Sequence, residues 1–190
     1  EYLEALFAIW HAGSVAVPVN ARLHRDEIAY IIEQSGARVV ITDDEHADDI
    51  RSLVDSVGTL VDCAVAPSEQ WNELTANAPI PLVDRQPTDA AWLFYTSGTT
   101  GRPKGATLSH RNLLMMTLSY LADIDPISPD DAVLHAAPIS HGSGLYGLPH
   151  VARGAVSITP VSGGVDGNEI AAVLQRWSGV SFFAAPTMDK

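Results

Sequence analysis

Short apolar segments alternate with stretches of helical period along almost the whole chain, and this alternation limits the fold more than any other feature. Glu1 to His11 has Leu3, Leu6, Phe7 and Trp10 on one helical face, and Gly13 follows as a stop. Val15 to Val19 is then expected as a strand, Asp26 to Ser35 as a helix, Arg38 to Thr42 as a strand and Ala47 to Val57 as a helix. Leu60 to Ala66 predicts a strand and Gln70 to Ala76 a short helix, before a Pro-rich connection over Asn77 to Thr88. Beyond it, strands are expected at Ala90 to Tyr95, Ala132 to Ala137, Ala155 to Pro160 and Val180 to Ala185. The intervening helices are Ser109 to Ala122, a glycine-interrupted passage over Ile139 to Val151, and Asn168 to Trp177. The pattern predicts an α/β fold with a largely parallel sheet and flanking helices. The Pro-rich connection divides it into a first α/β portion, 1–88, and a second, 89–190. The chain opens inside a helix without an initiator Met and closes just after an apolar strand, so a portion of a longer protein is expected.

Charge narrows the function classes. Eleven Lys and Arg against 23 Asp and Glu give a net charge of −12, which argues against a protein that grips nucleic acid through its phosphates. Cys63 is the one cysteine, so an internal disulfide and a Cys-rich zinc site are excluded; a core thiol in a reducing, cytoplasmic setting is expected. The longest uncharged run, Ala132 to Ala152, contains Pro138, Pro149, three histidines and three glycines, which speaks against a membrane helix. His135, His141 and His150 are spaced six and nine apart, matching no usual metal-ligand spacing. The acidic run from Asp43 to Asp49 reads as a favourable helix start with a solvated face.

The chemistry concentrates after the strand that ends at Tyr95. Thr96 to Gly105 packs four hydroxyls, three glycines and two cations into ten residues. Glycines let backbone amides approach an anion, hydroxyls add donors, and Lys104 adds a point charge. The run is not a P-loop, since Pro103 stands where a second glycine belongs and Gly105 follows the lysine. Nor does Thr96 to Gly105 contain a Gly-x-Gly-x-x-Gly dinucleotide fingerprint, and no Gly-x-Ser-x-Gly elbow occurs in the sequence. On composition alone an ordinary turn remains open.

Tyr95 to Gly105, followed by Ser109-His110-Arg111-Asn112, resembles the phosphate-loop signature of the AMP-forming adenylating enzymes. That superfamily includes acyl- and aryl-CoA synthetases and the adenylation domains of peptide synthetases. The likeness extends through Ala16 to Asn20 and on to Ala185-Pro186-Thr187, and it implies part of the large N-terminal domain of such an enzyme. It implies ATP, magnesium and coenzyme A as reaction partners, with a small carboxylic acid as substrate. By position, Thr96, Ser97, Gly98, Thr99, Thr100, Gly101 and Lys104 would hold the triphosphate, with Thr96 beside the metal. Arg102 is left open between that role and a solvated one.

Pro138 to Leu145 resembles a second motif of the same family, in which a His or aromatic residue lines the acyl pocket. His141, Gly142 and Gly144 would line it here, and Lys104 and His141 are the candidates for catalytic roles. Read without the family, His141 is a packing or capping residue at a helix start. Ser140 replaces the bulkier residue often found before it. The uncharged passage Ile139 to His150 favours a fatty or aryl acid over an amino acid. The 190 residues contain no Tyr-Gly-x-Thr-Glu segment. The family's ribose-binding acid and C-terminal catalytic lysine are not found in them either, so little or no activity is expected of this stretch by itself. Two other readings stay open: a non-catalytic nucleotide-binding module, and an amino-acid adenylation domain.

Overall fold

The computed structural model describes residues 1–96, 102–163 and 166–184. The chain forms two compact units, Glu1–His110 and Arg111–Lys190. In the first, helices α1 (Tyr2–His11), α2 (Arg25–Ser35), α3 (Ala47–Val54) and α4 (Glu69–Thr75) accompany two strand pairs. Strands β1 (Val39–Thr42) and β2 (Asp62–Val65) pair in parallel, with Val40 opposite Cys63. Strands β3 (Ala90–Thr96) and β4 (Lys104–Ser109) pair antiparallel.

Sequence explains most of these elements. Helix α2 begins with a capping box in which His24 accepts from the Asp26 amide and Glu27 accepts from the His24 amide. It stops at Gly36, whose φ of +69° is the left-handed C-cap conformation that glycine adopts without strain. Its Ile32 packs with Ile50, Leu53, Val57, Leu60 and Cys63 into one core cluster. Cys63 is therefore the core thiol that the sequence suggests, and burial pushes its pKa up. The Pro-rich connection is fastened back onto the end of α1. The Val83 amide donates to the His11 carbonyl at 3.0 Å, and the Arg85 guanidinium donates to the Gly13 carbonyl.

Two expectations need correction. The strand expected over Val15 to Val19 shrinks to a single bridge, Ala16 with Trp92. Ala16 accepts and donates one bond each, but Pro18 has no N–H with which to extend the ladder. The second concerns the segment between the loop and the helix expected from Ser109: the helix starts at His110, and Lys104–Ser109 is a strand, β4. Its residues 104–107 are exposed, so it carries no alternating apolar pattern, and the pairing is imposed by β3.

In the second unit, which takes up α5 (His110–Asp123) beyond its first residue, a three-stranded parallel sheet has β5 (Asp131–Leu134) at its centre. β6 (Val156–Ile158) and β7 (Gly179–Phe182) flank it, reached through α6 (Gly142–Arg153) and α7 (Gly167–Arg176). Ala132, Val133 and Leu134 are at most 1% exposed, as befits a central strand covered on both faces. Sheet and helix order agree with the predicted α/β class. Among the described residues, no helix is long and apolar enough to cross a membrane.

Candidate functional site

Hairpin β3–β4 places the two ends of the glycine-rich loop side by side. Thr96 and Lys104 are cross-strand partners at its open end, and both are exposed. A hydroxyl donor and an ammonium thus project next to each other from paired strands. Ser97, Gly98, Thr99, Thr100 and Gly101 lie outside the described residues. The hairpin rests on a rigid base, because Ala91 and Trp92 are fully buried and Trp10 Nε1 donates to the Ala91 carbonyl at 2.7 Å. Gly105 is dictated by packing: a Cβ there would sit 2.9 Å from Tyr95 Cζ. Arg102 is exposed, and its guanidinium lies 5.5 Å from the centroid of the Tyr30 ring.

The second motif lies in the other unit, at the start of α6. His141 occupies the N-cap position, yet its side chain makes no capping bond. Its Nδ1 instead meets the Ser140 hydroxyl at 2.9 Å. The serine that departs from the family pattern therefore orients the histidine, a role that its sequence position did not reveal. Gly144 is required because a Cβ would stand 1.8 Å from the Ile139 carbonyl oxygen. Gly142 faces Phe183, whose ring would be 3.0 Å from a Cβ.

Phe183 also lines a cavity of about 200 Å³ within this unit, together with Tyr120, Tyr146, His150, Ser181 and Phe182. Tyr146 links the walls, with ring centroids 5.3 Å from Tyr120 and 5.5 Å from Phe183. The polar members are bonded to one another. His150 Nε2 meets the Ser181 hydroxyl at 2.8 Å, while Nδ1 donates to the Tyr146 carbonyl at 2.7 Å. Burial raises the Tyr120 pKa against an opposing bond to Ser181, so its hydroxyl stays protonated. Among the described residues, no carboxylate belongs to this lining. Beside it, His135 is buried with Nδ1 on the Ser143 hydroxyl at 2.8 Å and Nε2 without a partner among the described residues. Desolvation, then the neighbouring His150, lowers its pKa to about 4, so the ring is neutral near pH 7.

Among the described residues, no group of three or more His, Cys, Asp or Glu is arranged to hold a metal ion. At the hairpin end the described residues offer a metal ion one hydroxyl oxygen, that of Thr96, since the Lys104 ammonium has no lone pair to give.

Known proteins resemble this chain in sequence and in fold. The AMP-binding enzyme family matches residues 1–189. A feruloyl-CoA synthase from Amycolatopsis sp is 33% identical over 98% of this chain and 36% of its own length. Long-chain-fatty-acid–CoA ligase FadD13 from Mycobacterium tuberculosis is 36% identical over 70% of this chain and 27% of its own. The N-terminal domain of FACL13 from Mycobacterium tuberculosis, solved with an inhibitor, superposes with a TM-score of 0.84 at 28% identity. That match covers 99% of this chain and 48% of the solved one. The chain spans about a third of the length of the feruloyl-CoA synthase. It belongs to the AMP-binding, adenylate-forming enzyme family, and its fold matches that of the N-terminal domain of FACL13.

Proposed function

We propose that these residues serve an ATP-dependent ligase that activates a carboxylic acid. A carboxylate oxygen attacks the α-phosphorus of ATP, the α–β anhydride bond breaks, and pyrophosphate leaves with the bonding electrons. The acyl-adenylate is then attacked by the thiol of coenzyme A, giving the thioester, AMP and a proton. The carrying observation is the juxtaposition of Thr96 and Lys104 at the end of one hairpin, bracketing the hydroxyl- and glycine-rich residues between them. In this reading Thr96, Ser97, Gly98, Thr99, Thr100, Gly101 and Lys104 hold the triphosphate, and Lys104 stabilises charge on the departing pyrophosphate. Magnesium would come with the nucleotide, and it supplies charge neutralisation on the phosphate oxygens when bound. Thr96 offers it a hydroxyl.

His141, Gly142 and Gly144 belong, in the same proposal, to the acyl site. A fatty or aryl acid is the favoured substrate class. The adjoining cavity is walled by aromatic rings, and its described lining residues include no carboxylate to receive an ammonium. Its volume of about 200 Å³ has room for an aromatic ring. Feruloyl-CoA synthase and FadD13 have names on this side of the choice, whereas an N-(5-amino-5-carboxypentanoyl)-L-cysteinyl-D-valine synthase from Amycolatopsis lactamdurans, 30% identical over 70% of this chain, keeps the amino-acid alternative in the test. A reducing, cytoplasmic setting completes the proposal, supported by the lone buried thiol of Cys63.

Carboxylate-dependent exchange of labelled pyrophosphate into ATP tests this reading. It is measured for this chain and for the longer protein proposed to contain it, with fatty, aryl and amino acids. The longer protein should exchange with fatty or aryl acids, and this chain alone little or not at all. Lys104→Ala should slow exchange by roughly 100-fold or more, as removal of a transition-state donor does elsewhere. Exchange only with amino acids would overturn the substrate class. Nucleotide binding without exchange by any acid would replace the ligase with a binding module.

A further inference from the structure

Both flanks of the glycine-rich loop are fastened to one helix. Tyr95, directly before Thr96, donates its hydroxyl to Oε1 of Gln34. Arg102, two residues before Lys104, stacks its guanidinium on Tyr30. Tyr30 and Gln34 are four positions apart on α2 and therefore share one side of it. Helix α2 is a firm base, capped at both ends and anchored by Ile31 and Ile32, which are 1% and 3% exposed. Burial, then the nearby Tyr30, raises the Tyr95 pKa, which keeps its hydroxyl a donor.

A two-stranded hairpin is marginal without outside support. β4 is largely exposed, so β3 and the contacts to α2 are what hold its loop-proximal end. We propose that Tyr30 and Gln34 are positioning residues. By fixing Tyr95 and Arg102 they set where Thr96 and Lys104 stand, and so set the affinity for the phosphates of ATP. The inference rests on the nucleotide reading above, and neither residue touches the reacting groups. Merely structural contacts would stabilise the first unit as a whole. Positioning contacts act on the hairpin end and on one substrate.

The test has two arms. Amide hydrogen exchange is compared among wild type, Tyr30→Leu, Gln34→Leu and Tyr30→Phe. Both Leu variants should lose about tenfold protection in β3 and β4 next to the loop, with β1 and β2 unchanged, whereas Tyr30→Phe, which keeps a ring for the guanidinium, should not. Mg·ATP binding by calorimetry should then weaken about tenfold in the Leu variants, or about 1.4 kcal/mol. In the enzyme assay, the KM for ATP should rise while the KM for the acid stays fixed. Tyr95→Phe added to Gln34→Leu should bring no further loss, because both break one bond. Protection lost across the whole unit, or intact protection in both Leu variants, would overturn the positioning role. Wild type that fails to bind Mg·ATP would overturn the nucleotide reading instead, and the hydrogen-exchange arm would still decide whether α2 holds the hairpin.

Discussion

His135 shows at the scale of one residue how a buried base couples folding to pH. Its folded pKa of about 4 lies below the ordinary 6.5, so between those values the unfolded chain binds more protons. Stability is full above about pH 6.5 and falls as pH drops towards 4, by up to roughly 3 kcal/mol for a shift of this size. Urea midpoints measured across that window should decline for wild type and decline less for His135→Phe. A slope that survives the substitution would assign the effect elsewhere. The glycines offer a sharper contrast. Gly144→Ala meets a backbone oxygen at 1.8 Å and should cost about 3 kcal/mol or more. Gly36→Ala meets open space and pays only for its left-handed φ of +69°, about 1 kcal/mol. Equal losses in a denaturation series would contradict that ordering. Residue chemistry was legible in the sequence where it is local, as with the hydroxyls and cation of Thr96 to Lys104. The partners of Tyr95 and Arg102 were not, because Gln34 and Tyr30 lie more than sixty positions away, beyond any local pattern.

At the scale of elements, helices with strong periodicity and caps appear close to where the sequence places them. α2 is the clearest, from its capping box to Gly36. β4 was hidden because an exposed strand with Gly105 inside it has no pattern of its own. The start of α3 makes another prediction. Partial burial alone would raise Asp43, but bonds from the His46 ring and amide outweigh it and hold the carboxyl below 3.8. The same bond raises His46 above 6.5, against its own partial burial and with help from Glu45 and Asp49. Asp43 therefore stabilises above its unfolded pKa, and that contribution is lost as pH falls through the lowered value. His46 stabilises below 6.5, and its contribution is lost as pH rises through the raised one. The pair should contribute most between these limits. Both groups reach solvent, so a double-mutant cycle of Asp43→Asn and His46→Gln should give under about 1 kcal/mol there and less at pH 9. A coupling that grows towards high pH would contradict the assignment.

For the molecule as a whole, the excess of acidic groups sets the response to salt. A net charge of −12 on 190 residues repels itself, and added ions screen that repulsion. The urea midpoint at pH 7.5 should therefore rise as NaCl goes from low to physiological ionic strength. A fall would mean that ion pairs such as Arg51–Asp48, at 3.4 Å, outweigh the net charge. Fold class and family were legible at this scale, because alternating periods and one eleven-residue run are each read locally. Grouping into units depends on contacts between distant segments, which no local pattern carries.

The hairpin has one more implication, in electrostatic terms. In loops that lead straight into a helix, aligned peptide dipoles supply part of the positive potential at the bound anion. Here β4 intervenes, and α5 begins only at His110, six residues after Lys104. On the proposed reading, little of the attraction for phosphate is built into a helix end. It falls to the loop amides and to a lysine ammonium that is open to solvent and its counterions. Binding of the nucleotide should accordingly depend steeply on ionic strength, and Lys104→Met should flatten that dependence while the fold stays intact.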